Sequence, residues 1–133
     1  MKPARALLAV TVVCLALSGC AAKESASEKK AESAGATAVT VTATDTACTT
    51  SAGEGGAGTT TFSVTNNGTK VTEFYVYGKD DRVLAEVENI SPGLQRELTV
   101  DFPEPGSYRL SCKPGMVGDG VSTDFTVKAA TSP

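Results

Sequence analysis

Histidine is absent from this chain of 133 residues, and so is tryptophan. The lack of an imidazole excludes Ser-His-Asp and Cys-His catalysis and every histidine-ligated metal site. The sequence also shows no other acid/base or nucleophile constellation, so we do not expect an enzyme. Basic residues are in the minority. Without Lys2 and Arg5, ten remain against fifteen acidic residues, a net charge of −5. An acidic chain with no basic patch is a poor nucleic-acid binder, and no nucleic-acid partner is expected.

A long hydrophobic run is missing too. The apolar run Leu7–Ala16 has about ten residues, too few to cross a bilayer of roughly 30 Å as a helix. Lys2 and Arg5 precede it and Leu17-Ser18-Gly19-Cys20 follows it, which is typical of a secretory signal. The last four residues look like a bacterial lipobox, in which the cysteine is lipidated and becomes the new N-terminus. We therefore expect a signal peptide over 1–19 and a lipoprotein anchored through Cys20 to the outer face of the bacterial cell membrane.

Large apolar side chains are also missing from residues 21–36, AAKESASEKKAESAGA, where three lysines and three glutamates balance. Such a segment cannot bury enough surface to offset the entropy cost of ordering it. The sequence predicts a flexible, lipid-anchored tether over 20–36, a folded domain over 37–128 and a disordered tail over 129–133.

From residue 39 onward the apolar residues follow a period of two, and no helical period occurs. Short runs rich in β-branched and aromatic residues alternate with turn sequences such as Asn66-Asn67-Gly68 and Ser91-Pro92-Gly93. This pattern predicts an all-β antiparallel sandwich of about seven strands. The expected strands are residues 39–44 and 61–65, followed by Val71–Tyr77, Arg82–Val87, Leu94–Val100, Ser107–Cys112 and Val121–Val127. Residues 45–58 and 113–120 are predicted to be loops.

Two cysteines, Cys48 and Cys112, remain in the exported domain after Cys14 leaves with the signal and Cys20 is lipidated. Cys112 is in phase with Tyr108 and Leu110, so its side chain should point inward. One interpretation is a disulfide that joins residues 64 positions apart, as is common outside the reducing cytosol. The other is a pair of thiolate metal ligands. Cysteine count alone favours the disulfide.

Three further residues are candidate metal ligands. Met116 lies four positions after Cys112, and sulfur ligands select copper, especially Cu(I). Glu73 is in phase with Tyr75 on one predicted strand, either as a ligand or as a solvated side chain. Asp119 lies between two glycines, and a turn-forming role is favoured over metal ligation.

Three segments together resemble the cupredoxin-like domain of EfeO-type iron-uptake proteins, over about residues 37–128. They are Val71–Tyr77, Glu86–Leu94 and Cys112–Gly120, which appear in the family's order. The resemblance implies a Greek-key cupredoxin sandwich with a copper or iron site that needs no histidine. It also implies that Glu73, Cys48 and Cys112 are metal ligands, with Met116 and Asp119 as weaker candidates.

The same resemblance implies partners. They are an iron permease, a haem peroxidase and a separate peptidase-like iron-binding protein, since the longer family members carry a helical peptidase-like domain that we do not expect in this protein. The sequence thus predicts a lipid-anchored, extracytoplasmic metal-binding protein of an EfeO-type uptake system. The alternative is a metal-free, disulfide-stapled sandwich that acts as a docking or interaction module.

Overall fold

The computed structural model describes residues 37–130, and over this range the chain forms nine β-strands and no α-helix. The predicted all-β sandwich is confirmed. The signal peptide, Cys20, the tether over 20–36 and the last three residues of the chain lie outside the described residues. The strands are β1 Thr37–Ala43, β2 Cys48–Thr50, β3 Glu54–Gly55, β4 Gly58–Asn66, β5 Thr72–Tyr77, β6 Val83–Ile90, β7 Gln95–Phe102, β8 Gly106–Cys112 and β9 Val121–Val127.

The strands form two sheets. Sheet A has four strands in the order β2-β1-β4-β7, and sheet B has five in the order β3-β9-β8-β5-β6. All pairs are antiparallel except β1 with β4 and β3 with β9, which are parallel. β8 is therefore a central strand of sheet B, whereas β2 is an edge strand of sheet A.

The core lies between the two sheets, where apolar side chains at every second position meet. Phe62 of sheet A is fully buried against two phenylalanines of sheet B, with ring centroids 5.5 Å from Phe74 and 5.3 Å from Phe125. Phe102 of sheet A packs on Tyr108 of sheet B with centroids 4.6 Å apart. These five residues are all of the phenylalanines and one of the three tyrosines of the chain.

The prediction of an unbroken loop over residues 45–58 is wrong, because this segment contains β2 and β3. Both strands are very short and are held by pairing with neighbours rather than by their own sequence. β2 pairs with β1 in sheet A, and β3 pairs with β9 in sheet B. The segment thus crosses from one sheet to the other, and strand propensity alone does not reveal such edge additions.

One end of the sandwich, which we call the cysteine end, is where β1 finishes at Ala43, β8 finishes at Cys112 and β2 begins at Cys48. Buried Asn66 organises the loops there. Its side-chain amide donates hydrogen bonds to the carbonyls of Lys70 (2.8 Å) and Ile90 (2.7 Å), and its side-chain oxygen accepts one from the backbone N–H of Gly68 (2.9 Å). In the part of the chain that the structure describes, no helix has the length and apolar character needed to span a membrane.

Candidate thiol and metal site

Cys48 and Cys112 form a disulfide bond that joins the two sheets. The sulfur–sulfur distance is 2.04 Å and the Cα atoms are 5.5 Å apart. Cys112 is completely buried and Cys48 is 6% exposed. The inward orientation predicted for Cys112 is confirmed, since Tyr108, Leu110 and Cys112 are all buried core residues. Of the two interpretations of the sequence, a disulfide or a pair of thiolate ligands, the structure has the disulfide.

Met116 lies on the loop that follows Cys112. Residues Pro114–Met116 form a short 3₁₀ turn, in which the N–H of Met116 donates to the carbonyl of Lys113 at 2.9 Å. Met116 has a positive φ of 56°, which is uncommon for a residue with a side chain, and it is 41% exposed. The next residue, Val117, is 71% exposed. The loop therefore presents a thioether to solvent at the cysteine end rather than filling the core with it.

Glu73 lies on the other side of sheet B from the disulfide. Its neighbour Phe74 is the cross-strand partner of Cys112, and both of these side chains are fully buried. Successive side chains of a strand point to opposite faces, so Glu73 faces outward, where it is partly exposed. The structure therefore does not bring Glu73 together with Cys112. The expected three-ligand cluster is not formed.

On this outer face Glu73 belongs to a cluster that the sequence analysis did not identify, formed by β5, β8 and the loop after β8. The Tyr75 hydroxyl donates to a Glu73 carboxylate oxygen at 3.0 Å, and the rings of Tyr75 and Tyr77 stack with centroids 5.8 Å apart. The Lys113 ammonium lies 4.0 Å from the Tyr75 ring centroid, and the Arg109 guanidinium lies 4.1 Å from that of Tyr77. Such cation–π contacts hold both basic side chains against the sheet. The period of two shared by residues 73–77 and 109–113 is the signal that could have revealed this cluster.

Two ionisable side chains, Tyr75 and Asp45, have shifted pKa values. Burial raises the pKa of the Tyr75 phenol well above its ordinary value, and the hydrogen bond to Glu73 raises it further. Asp45 accepts hydrogen bonds from the hydroxyl (2.6 Å) and the backbone N–H (2.9 Å) of Thr69. These bonds, with that from the hydroxyl as the largest cause, lower the pKa of the Asp45 carboxyl. Neither group lies on the core side of sheet B with the two sulfur atoms.

Asp119 lies in the bend at the end of the same loop. From the sequence, a turn-forming role is favoured over metal ligation for this residue. Its backbone carbonyl accepts a hydrogen bond from the buried Ser111 hydroxyl at 2.8 Å, while its side chain is exposed. It is flanked by Gly118 and Gly120, with positive φ angles of 68° and 75°. A Cβ atom on Gly120 would lie 2.3 Å from the carbonyl oxygen of Cys112, so only glycine fits there.

Taken together, these positions leave one close pair of soft ligand atoms, the sulfur atoms of Cys48 and Cys112. Within residues 37–130 no group of three or more cysteine, aspartate or glutamate side chains is placed to hold a metal ion. What the arrangement can do chemically therefore depends on the oxidation state of this pair. As a disulfide it cross-links the sheets, and as two thiols it offers two sulfur ligands.

Comparisons with known proteins agree with this architecture. Residues 7–127 match the family described as Cupredoxin-like domain. Among solved structures, dithionite-reduced auracyanin from Roseiflexus castenholzii is 18% identical, with a TM-score of 0.54 over 69% of this chain and 97% of that one. Auracyanin A, a "blue" copper protein from Chloroflexus aurantiacus, is 15% identical, with a TM-score of 0.53 over 71% of this chain and 100% of that one. Auracyanin B is 16% identical, with a TM-score of 0.55 over 71% and 90% of the two chains. At these identities the likeness shows the fold. No curated protein sequence matches the chain.

Proposed function

Since this chain belongs to the cupredoxin-like domain family, we propose that it is an exported copper-binding protein whose ligands are Cys48 and Cys112 in their reduced state. The observation that carries the proposal is that the fold brings Cys48 of one sheet and Cys112 of the other together at one end of the sandwich, with Cα atoms 5.5 Å apart. In the structure as it stands they are bonded to each other, so reduction is the condition for metal binding.

The ligand atoms decide which form of copper these residues fit. A blue-copper centre needs two histidines and one cysteine, and a chain without histidine cannot supply them. Two thiolates, in contrast, suit the soft Cu(I) ion. Copper bound there would supply one-electron chemistry. Met116 is the nearest further sulfur in sequence, on the loop after Cys112, and we propose it as an auxiliary ligand.

The wider setting rests on the sequence resemblance. We propose that the protein is a component of an EfeO-type iron-uptake system, anchored to the outer face of the cell membrane through lipidated Cys20. A membrane permease, a peptidase-like iron-binding protein and a haem peroxidase would then be its partners. Two acyl chains on Cys20 would hold the domain stably at the membrane, where one chain would not.

Iron binding, if it occurs, needs a different set of atoms from copper binding. Fe(III) prefers oxygen ligands, and Glu73 is the carboxylate that the resemblance suggests. Because Glu73 and Cys112 face opposite sides of sheet B, one ion cannot bind both side chains without rearrangement. We therefore expect Glu73→Gln to weaken Fe(III) binding and to leave Cu(I) binding unchanged.

The decisive experiment is a Cu(I) titration of the detergent-solubilised lipoprotein against a chromophoric Cu(I) chelator. Because Cys20 carries the lipid, Cys48 and Cys112 are the two cysteines that become free thiols when this lipoprotein is reduced. We expect the chemically reduced protein to take one Cu(I) from the chelator and the oxidised protein to take none. Affinity should increase with pH, since thiolate ligation releases protons. Cys112→Ser should abolish binding, and Glu73→Gln is the matched control.

A second function is favoured by the disulfide itself, namely a metal-free sandwich that acts as a docking module. If the reduced parent takes no Cu(I) from the chelator, the Cys48–Cys112 bond is a structural staple and this second function stands. If a Cys48→Ser, Cys112→Ser double variant binds Cu(I) like the parent, the copper site lies elsewhere.

A further inference from the structure

The two halves of the Cys48–Cys112 disulfide lie in very different surroundings. Cys112 is the last residue of β8, a strand that pairs with β5 on one side and β9 on the other, and its side chain is 0% exposed. Cys48 is the first residue of β2, which has three residues and a single neighbour, β1. Its side chain is 6% exposed. An incoming reagent therefore meets far less structure on the Cys48 side.

The segment that shields Cys48 is held by its pairing with β1 and by hydrogen bonds at its two ends, among them one from the Ser51 N–H to the Thr40 carbonyl at 2.9 Å. Where the chain turns between β1 and β2, the Ala47 N–H donates to the Thr44 hydroxyl at 2.9 Å, and the Thr44 N–H donates to the Ala47 carbonyl at 2.8 Å. After β2, the Ser51 hydroxyl accepts a hydrogen bond from the Thr40 N–H at 2.9 Å. Short edge segments with exposed hydrogen bonds open locally at a small free-energy cost. Cys112, in contrast, lies on a strand that is paired on both sides, so its segment has no free edge from which to open.

We propose that Cys48 is the sulfur through which a dithiol protein reduces this bond, and that β2 opens locally to admit it. The inference deepens the proposed function and rests on it, because copper binding needs both thiols. In the first step a thiolate of the dithiol protein attacks the sulfur of Cys48. A mixed disulfide forms with Cys48, the Cys48–Cys112 bond breaks, and Cys112 leaves as a thiolate.

In the second step the remaining thiolate of the dithiol protein attacks that protein's other sulfur atom, the one that is bonded to Cys48 in the mixed disulfide. The reductant becomes a disulfide and Cys48 is released as a thiolate. Two electrons pass from the dithiol to the Cys48–Cys112 pair, and the protons of the dithiol go to solvent or to the new thiolates. The partner class is thus an exported protein with two neighbouring thiols, similar in chemistry to thioredoxin.

Trapping of the mixed disulfide tests which sulfur is attacked. The oxidised lipoprotein is incubated with a thioredoxin whose second active-site cysteine is replaced by serine, and an alkylating reagent is then added to cap the released thiol. Peptide mass spectrometry then locates both modifications. We expect thioredoxin on Cys48 and the alkyl group on Cys112. Attachment of thioredoxin to Cys112 would overturn the proposal. So would a result in which the denatured lipoprotein reacts and the folded one does not.

A pair of matched variants tests whether opening is local. Thr44→Ala removes a hydrogen bond that closes the turn before β2, and it should accelerate reduction by intact thioredoxin about two- to tenfold. Thr61→Ala makes the same substitution away from β2, removing the exposed side-chain bond of Thr61 with Thr99 at 3.1 Å between β4 and β7, and should change the rate less than about twofold. Equal acceleration by both variants would show that reduction requires global unfolding and would overturn local opening.

These outcomes are independent of the copper titration, in which a small chemical reductant replaces the dithiol protein. If Cys48 is attacked but the reduced chain takes no Cu(I), the route of reduction stands and the copper function fails. If Cu(I) binds but thioredoxin attaches to Cys112, the copper function stands and the route proposed for reduction fails.

Discussion

Reduction of the Cys48–Cys112 bond should lower the free energy of unfolding by about 4 kcal/mol. The bond joins residues 64 positions apart in sequence. A cross-link restricts the unfolded chain, and the entropy removed grows with the logarithm of the loop that it closes. For a loop of this size the chain-entropy relation gives about 4 kcal/mol at 25 °C. That is a large fraction of the 5–15 kcal/mol that is typical of a whole domain.

The folded state should change much less than the unfolded state. Cys112 is fixed by two flanking strands, and the hydrogen bonds of β1 with β2 do not depend on the disulfide. The expected effect on the thermal midpoint is a decrease of roughly 15–30 °C, since 1 kcal/mol corresponds to about 4–8 °C for a domain of this size.

Equilibrium unfolding in urea, with and without a reductant, measures this difference on one and the same sequence. The slope of free energy against urea should be smaller for the oxidised protein, because its unfolded state is more compact and exposes less surface. A Cys48→Ala, Cys112→Ala double variant should behave like the reduced protein in both conditions. A difference below about 1 kcal/mol between oxidised and reduced protein would refute the idea that the bond acts by closing a long loop.

Three other perturbations have defined outcomes. Asn66→Ala should lower the free energy of unfolding by about 2–4 kcal/mol in urea, because it leaves one buried carbonyl, one partly buried carbonyl and one partly buried N–H without their partner. The lowered pKa of Asp45 means that its contribution to stability is present above pH about 4 and is lost as pH falls through its folded pKa. Asp45→Asn should therefore lower the thermal midpoint at pH 7, and the difference from the parent should shrink as the pH is lowered below about 4. Cys20→Ser should abolish lipidation and release the protein from membranes, and its retention there in high salt would contradict the lipoprotein interpretation.

Much of the fold follows from the period-two pattern of the sequence. Strands such as β4 and β9 are long enough for alternation and turn residues to define them. β9 has the predicted bounds, and β4 contains the predicted strand but begins earlier, at Gly58. The same information could not reveal β2 or β3, whose short sequences become strands only because β1 and β9 offer them free edges. It also could not assign strands to sheets, since the parallel pairing of β1 with β4 depends on contacts between distant parts of the chain.

The candidate site was predictable in part. The phase of Cys112 with Tyr108 and Leu110 placed its side chain inward, and that is where it lies. The sequence could not decide between a disulfide and two ligands, because both need two cysteines that meet. The sequence could not decide either whether Glu73 lies on the buried or on the exposed face of its strand. Phe74 lies on one face and Tyr75 on the other, so each face has an aromatic residue that could belong to the core.

The opposite orientations of Glu73 and Cys112 have a consequence for how one small domain could serve two metals. A shared centre would need a hard oxygen and a soft sulfur in contact with one ion, and sheet B separates them. Two metals would therefore need two separate sites, a buried one for Cu(I) at the sulfur pair and a surface one for Fe(III) at Glu73. In the present arrangement the Glu73 carboxylate accepts the Tyr75 hydroxyl at 3.0 Å, and the Lys113 ammonium lies over the same tyrosine ring. An iron ion at Glu73 would have to displace that hydrogen bond and tolerate a nearby cation. Copper at the sulfur pair would require two-electron reduction of the disulfide but no displacement of a hydrogen-bonded partner, which is why we propose copper rather than iron as the metal of this domain.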